Sequence, residues 1–241
     1  MAEKIIGILG GMGSYATVYT FKKILDRIDA KKEWDYPRII IDNNPKLPSR
    51  VRAILYNEHK KEIIDGMCDS IKKLTEYGAD IIFVPCNTAH YFIDDVKYKL
   101  PHVNILNMLA AVGEKCWSAG YQKVGVLASE GSIVTGIYGK YIKDKDMSIL
   151  YPPESKFKNI REIIEDVKQN KNLEKTKIAL VSEINSFNNP DCVILGCTEF
   201  SVVWGLLIDG EKLKCNYPVL DALDIAIDGI LGFDDEIEVK I

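Results

Sequence analysis

The chain has 241 residues, 47% of them hydrophobic and 27% charged, with a formal net charge of −4. That is ordinary globular composition, enough for one large or two small domains. It argues against nucleic acid or an anionic membrane as partner, and no apolar run approaches the roughly 20 residues of a membrane span.

The first stretch, MAEKIIGILGG, carries a short apolar run that reads directly into a strand, KIIGILG (4–10), and not into a signal peptide. A cytoplasmic protein is therefore expected. Four glycines fall within residues 7–13. Gly11-Met12-Gly13-Ser14-Tyr15-Ala16 fits G-x-G-x-x-A between that strand and a helix-like stretch, Tyr15 to Ile28. Asp42, at the end of the next apolar run, PRIIIDN (37–43), sits where a ribose-binding carboxylate could stand. The same glycines equally suit a tight strand-to-helix turn whose free N–H groups favour any anion, a carboxylate included.

An Asn-Pro-rich turn, NNPKLPSR (43–50), leads to a helical segment at 58–77. Strand-like runs follow at ADIIFVPC (79–86), VNILNM (103–108), KVGVLAS (123–129), SILYP (148–152), DCVILGC (191–197) and YPVLDAL (217–223). Helical patterns lie between most of them, at 109–119, 156–170 and 172–187. In the second of these, Ile160, Ile163, Ile164 and Val167 recur at helical spacing. This alternation predicts βαβ units and parallel strands covered on both faces.

The segments EYGADIIFVPCNTAHYF (76–92) and FNNPDCVILGCTEFSVV (187–203) match one another. Each has a turn, an apolar strand, a cysteine at the strand's C-terminal end, a threonine one or two residues later, and a helix. They imply an α/β fold of two similar flavodoxin-like lobes. Residues 1–107 plus 216–241 would make the first lobe and 108–215 the second, with the boundary near Asn107. Ligands of open parallel sheets sit beyond the carboxyl ends of the strands, so both cysteines would face one cleft.

Cys86 and Cys197 therefore stand out among six cysteines. Cys68, Cys116, Cys192 and Cys215 lack that setting and read as packing residues. Neither C-x-x-C nor H-E-x-x-H occurs, so no zinc site is expected. A helix start should lower a strand-end thiol's pKa toward 7 or below. Asn87, Thr88 and Thr198 add hydrogen-bond donors. Two thiols flanking one carbon could take a proton from one face and return it on the other. His90, four residues past Cys86, could support the thiolate or simply be a satisfied helix residue. Glu199 could serve the helix dipole or acid–base chemistry.

PCNTAH (85–90), GCTE (196–199) and GGMGSYAT (10–17) together resemble the aspartate/glutamate racemase family, most closely its aspartate racemase branch. The resemblance spans nearly the whole chain. It implies an amino-acid racemase without pyridoxal phosphate or any other cofactor, interconverting L- and D-aspartate with Cys86 and Cys197 as the two bases. Arg50, on the loop 43–50, and Lys168, on the helix IIEDVKQN (163–170), fall where the family holds the distal carboxylate, with Arg52 a competitor on the same loop. Met12, Gly13, Asn87, Thr88 and Thr198 would line the pocket. Ser14 and Tyr15 depart from the family's usual residues, and Tyr15 could intrude on the pocket. The expected partner is a small acidic amino acid, and a homodimer is the expected assembly. The alternatives are a related racemase, isomerase or decarboxylase acting on glutamate or another substrate, an NAD-dependent oxidoreductase, and a non-catalytic acidic amino-acid binding module.

Overall fold

The computed structural model describes residues 4–142, 146–208 and 214–232. Two parallel sheets organise them. The first has the order β2-β1-β3, from β1 (Ile6–Gly10), β2 (Ile39–Asn43) and β3 (Ile81–Phe83). Registers run Ile6 to Ile39 on one side of β1 and Ile6 to Ile81 on the other. Its helices are α1 (Ser14–Asp26), α2 (Arg50–Tyr56), α3 (Lys60–Glu76) and α4 (Ile93–Lys99). Next come α5 (Met108–Ser118), β4 (Lys123–Ala128), α6 (Glu130–Thr135), α7 (Gly139–Ile142) and β5 (Ser148–Leu150). The chain continues with α8 (Phe157–Lys168), α9 (Leu173–Asn185), β6 (Cys192–Gly196), α10 (Thr198–Ile208), β7 (Val219–Asp221) and α11 (Ala222–Leu231). The second sheet is β5-β4-β6-β7.

Two expectations are corrected. The apolar run 103–108 makes a single parallel bridge, Ile82 to Ile105, in place of a strand. Asn107 ends it at once, because its side chain accepts from the N–H groups of Leu109 and Ala110 and so starts α5. The segment 216–241 does not return its strand to the first lobe. β7 pairs with β6 at the edge of the second sheet. Among the described residues of this segment, α11 reaches back, through Lys23 to Asp224 (2.9 Å) and Arg27 to Asp228 (2.7 Å). Residues 233–241 lie outside the described residues.

Strand alternation explains the layers. Ile6, Ile8, Ile81 and Phe83 of the first sheet lie in the same buried cluster as Val124, Val126, Cys192 and Ile194 of the second. All join one core with α5 and α11. The opposite faces are covered separately. Leu9, Ile82 and Val84 pack on α3, with Ile63, Met67 and Ile71. Leu127, Val193 and Leu195 pack on α8, α9 and α10, with Ile160, Leu180 and Phe200. Helices thus lie between the sheets and outside each of them, and the carboxyl ends of β1, β3, β4 and β6 open on one cleft. Among the described residues no helix is long and apolar enough to cross a membrane.

Candidate active site

The glycine turn comes first along the chain. Gly11 has φ +86, and a Cβ there would stand 2.3 Å from the carbonyl carbon of Asn44. A Cβ on Gly10 would strike Thr17, whose Oγ1 accepts from the Gly11 N–H at 2.9 Å. These glycines let the turn pack against its own helix and the neighbouring loop. The Gly11 N–H is already taken by Thr17, and the space over Gly11 is filled by the Asn44 backbone.

A cavity of about 260 Å³ lies between the lobes. Met12, Arg50, Cys86, Asn87, Thr88, Lys168, Cys197, Thr198 and Glu199 all line it. Gly13 stands behind this lining, facing Glu199. His90 does not line the cavity, and neither does Tyr15, which is 46% exposed.

Cys86 follows β3 by three residues and precedes a 3-10 turn, 87–92. Its carbonyl accepts from the His90 ring nitrogen Nδ1 at 2.9 Å, while His90 Nε2 accepts from the Met108 N–H at 3.2 Å. The second bond needs an unprotonated Nε2, so the ring is neutral with its proton on Nδ1. Burial pushes the pKa of His90 down to about 4, in keeping with that tautomer. His90 thus holds the backbone at Cys86 and the start of α5.

Cys197 links β6 directly to α10. Its thiol donates to Glu199 Oε2 at 2.9 Å. Cross-lobe hydrogen bonds fix the two cysteine segments together. Thr198 Oγ1 donates to the Pro85 carbonyl at 3.1 Å, so that hydroxyl proton is committed to the protein and not free for a ligand. Thr88 Oγ1 lies 2.8 Å from Ser129 Oγ and 3.1 Å from Ser132 Oγ. Tyr138 donates to Asn87 Oδ1 at 2.5 Å, which leaves the Asn87 amide nitrogen as its unused end.

The expectation of acidic thiols is overturned. Burial raises the Cys86 thiol, with Arg50 the main opposing influence. Burial and then Glu199 push Cys197 well above its ordinary value. Removing a thiolate from water outweighs the helix starts that suggested the opposite. The helical segment after Cys86 is, moreover, a 3-10 turn and not an α-helix.

The cations differ in how much of their charge is spent. Arg50 donates to the carbonyls of Leu47 (3.2 Å), Pro48 (2.7 Å) and Met12 (3.4 Å), and pairs with no carboxylate among the described residues. Its buried Nε has no partner. Arg52 instead forms a two-pronged pair with Glu58, at 2.8 and 2.9 Å. Lys168 pairs with Glu165 at 3.0 Å. Burial lowers the Lys168 pKa, yet Glu199 and Glu165 beside it hold it above the ordinary value.

Sequence reasoning missed much of the wall. Val51, Leu55 and Tyr56 of α2 and Phe157, Ile160 and Ile164 of α8 line the cavity, and Glu130 and Arg161 pair with each other at its edge. The amphipathic pattern of α8 was legible, but its period cannot say which flank of the stripe meets the cleft. All six cysteines are free thiols, and among the described residues no group of three or more His, Cys, Asp or Glu is placed to hold a metal.

The sequence pattern of the Asp/Glu/Hydantoin racemase family matches residues 9–229. The chain is similar to the broad specificity amino-acid racemase RacX of Bacillus subtilis, 28% identical, with 90% of this chain and 92% of that protein covered. It superposes on the aspartate racemase of Picrophilus torridus with a TM-score of 0.80 and 29% identity, over 95% of this chain and 94% of that one. An aspartate racemase homologue from Pyrococcus horikoshii gives 0.73 and 25%, over 95% and 98%.

Proposed function

The chain belongs to the Asp/Glu/hydantoin racemase family, and we propose that it interconverts L- and D-aspartate by proton transfer at Cα between Cys86 and Cys197, without a cofactor. The observation that carries this reading is that two thiols, at equivalent strand ends of the two lobes, line one cavity. In one direction a thiolate takes the α-proton. The C–H bond breaks, an S–H bond forms, and the electron pair spreads into the α-carboxylate. The opposite thiol then gives its proton to the other face of Cα and becomes the thiolate. The reverse direction exchanges the roles.

The developing charge on the α-carboxylate calls for donors fixed in advance. The Asn87 amide nitrogen is one, aimed by Tyr138. Arg50 and Lys168 suit a side-chain carboxylate, Arg50 most of all because its guanidinium is held by carbonyls alone. Thr88 and Met12 complete the lining. Glutamate and other amino acids are the next substrates to consider, since RacX is named for broad specificity. We take the enzyme to be a cytoplasmic homodimer. Its glycine turn, closed by Thr17 and Asn44, weighs against the NAD reading.

Proton NMR with L-aspartate in D₂O, paired with chiral chromatography, tests the reading. The α-proton signal should vanish as D-aspartate accumulates. Exchange without inversion would reject the two-thiol scheme. No exchange with aspartate, glutamate or a wider amino-acid panel would favour a binding module or a sister reaction.

A further inference from the structure

Among the described residues, three that line the cavity each carry a buried side-chain polar atom without a hydrogen-bond partner. Two of those atoms are donors, Asn87 Nδ2 and Arg50 Nε, and one is an acceptor, Glu199 Oε1. Buried polar groups are paired in the great majority of cases, so unpaired ones gathered around a cavity point to a ligand of opposite polarity. A zwitterionic α-amino acid brings that polarity, with carboxylate oxygens for the donors and ammonium hydrogens for the acceptor.

Three carboxylates line the cavity, and they are not equivalent. Glu130 is paired with Arg161, and Glu165 with Lys168. Glu199 is 3% exposed, and only its Oε2 is used, by the Cys197 thiol. Its Oε1 lies where a Cβ on Gly13 would approach to 2.9 Å, so a side chain at position 13 would crowd it. The ammonium nitrogen of an amino acid is bonded to the same carbon that exchanges its proton. Its receptor must therefore stand beside a reacting thiol, and Glu199 touches one.

We infer that Glu199 Oε1 receives the substrate's α-ammonium group, and that this contact makes the site selective for α-amino acids with a free amine. The inference rests on the amino-acid racemase reading. Beside Lys168, it gives Glu199 two hydrogen-bond partners, the Cys197 thiol on one oxygen and the ammonium on the other. The ammonium charge then stands close to Cys197, where it favours the thiolate that the reaction requires. It also assigns a task to Gly13, which leaves Oε1 uncrowded.

The test is calorimetric binding of matched pairs that differ in the amine alone: aspartate and succinate, glutamate and glutarate, alanine and propionate. Wild type should bind the amine-bearing member of its best pair at least about 10-fold more tightly, the scale of a charge-assisted hydrogen bond. Glu199→Gln should cut that ratio below about threefold while leaving the binding of the deaminated member nearly unchanged. Gly13→Ala, which crowds Oε1 without altering the carboxylate, should lower the ratio in the same direction and serves if the Gln variant misfolds. Wild-type binding with a ratio untouched in both variants would overturn the inference and leave the racemase reading standing. Failure of wild type to bind any amino acid would overturn both.

Discussion

Cys86 and Cys197 occupy matching strand ends, yet their surroundings carry opposite signs. Cys86 faces Arg50, a guanidinium held by carbonyls, and its backbone is pinned by His90. Cys197 faces Glu199, a carboxylate that accepts a hydrogen bond from its thiol. The scaffold repeats while the charges do not. The proposed scheme, in which each thiol would serve as both acid and base, is thus symmetric chemistry built from unequal partners. In the free protein the negative charge of the first thiolate is better placed on Cys86 and the retained proton on Cys197. Burial raises both thiols, so the imbalance acts on groups that are already reluctant to ionise.

The largest blow to this comparison is removal of one partner. Cys86→Ala and Cys197→Ala should each lower racemisation by about 10²–10⁴-fold in chiral chromatography, the range of a positioned acid or base. With L- and D-aspartate in D₂O, each variant should still exchange the α-proton of one enantiomer, and the two should choose opposite enantiomers. The same choice by both would break the two-sided scheme. A smaller effect sharpens the asymmetry. The proposed scheme needs one thiolate and one thiol, so activity should rise with pH through the first ionisation and fall through the second. Arg50→Gln removes the cation that favours the Cys86 thiolate and should move the ascending limb to higher pH. Glu199→Gln removes the carboxylate that opposes the Cys197 thiolate and should move the descending limb to lower pH. Profiles of kcat/KM that shift together would mean the two thiols share one environment.

His90 has no counterpart beside Cys197, and its effect falls on stability. Its folded pKa of about 4 lies below the ordinary 6.5. The unfolded chain therefore binds a proton first as pH falls, and stability is lost between about 6.5 and 4, by up to about 3 kcal/mol. Urea melts across that range should show the loss in wild type and a flatter profile in His90→Gln. The smallest effect belongs to Tyr15, which stands outside the cavity lining. Tyr15→Ala should change kcat/KM by less than about twofold, as surface substitutions commonly do. A larger change would put that ring back into the site.

Strand periodicity and the paired cysteine motifs made the two-sheet fold and the shared cavity legible in the sequence. The apolar runs around Ile8, Ile82, Val126 and Ile194 are buried on both faces, and that burial is written into composition. What was hidden depends on tertiary placement. Ile160 and Ile164 read as core-facing helix residues, and only the packing of α8 turns their flank toward the cleft. β7 reads the same whichever sheet accepts it. The thiol pKa values could not be read either. A helix start is visible in a sequence, whereas the depth of burial that opposes it and the carboxylate two residues on that reinforces the burial act through distance.

The helical layer between the sheets has a consequence for how the molecule comes apart. Ile6, Ile8, Ile81 and Phe83 share their packing partners with Val124, Val126, Cys192 and Ile194. A fragment ending at Asn107 would leave the first four facing water, and the complementary fragment would bare the other four. The two repeats resemble each other as if either might stand alone, but neither owns a complete interior. Denaturation should then be a single cooperative event, and neither half should fold without the other.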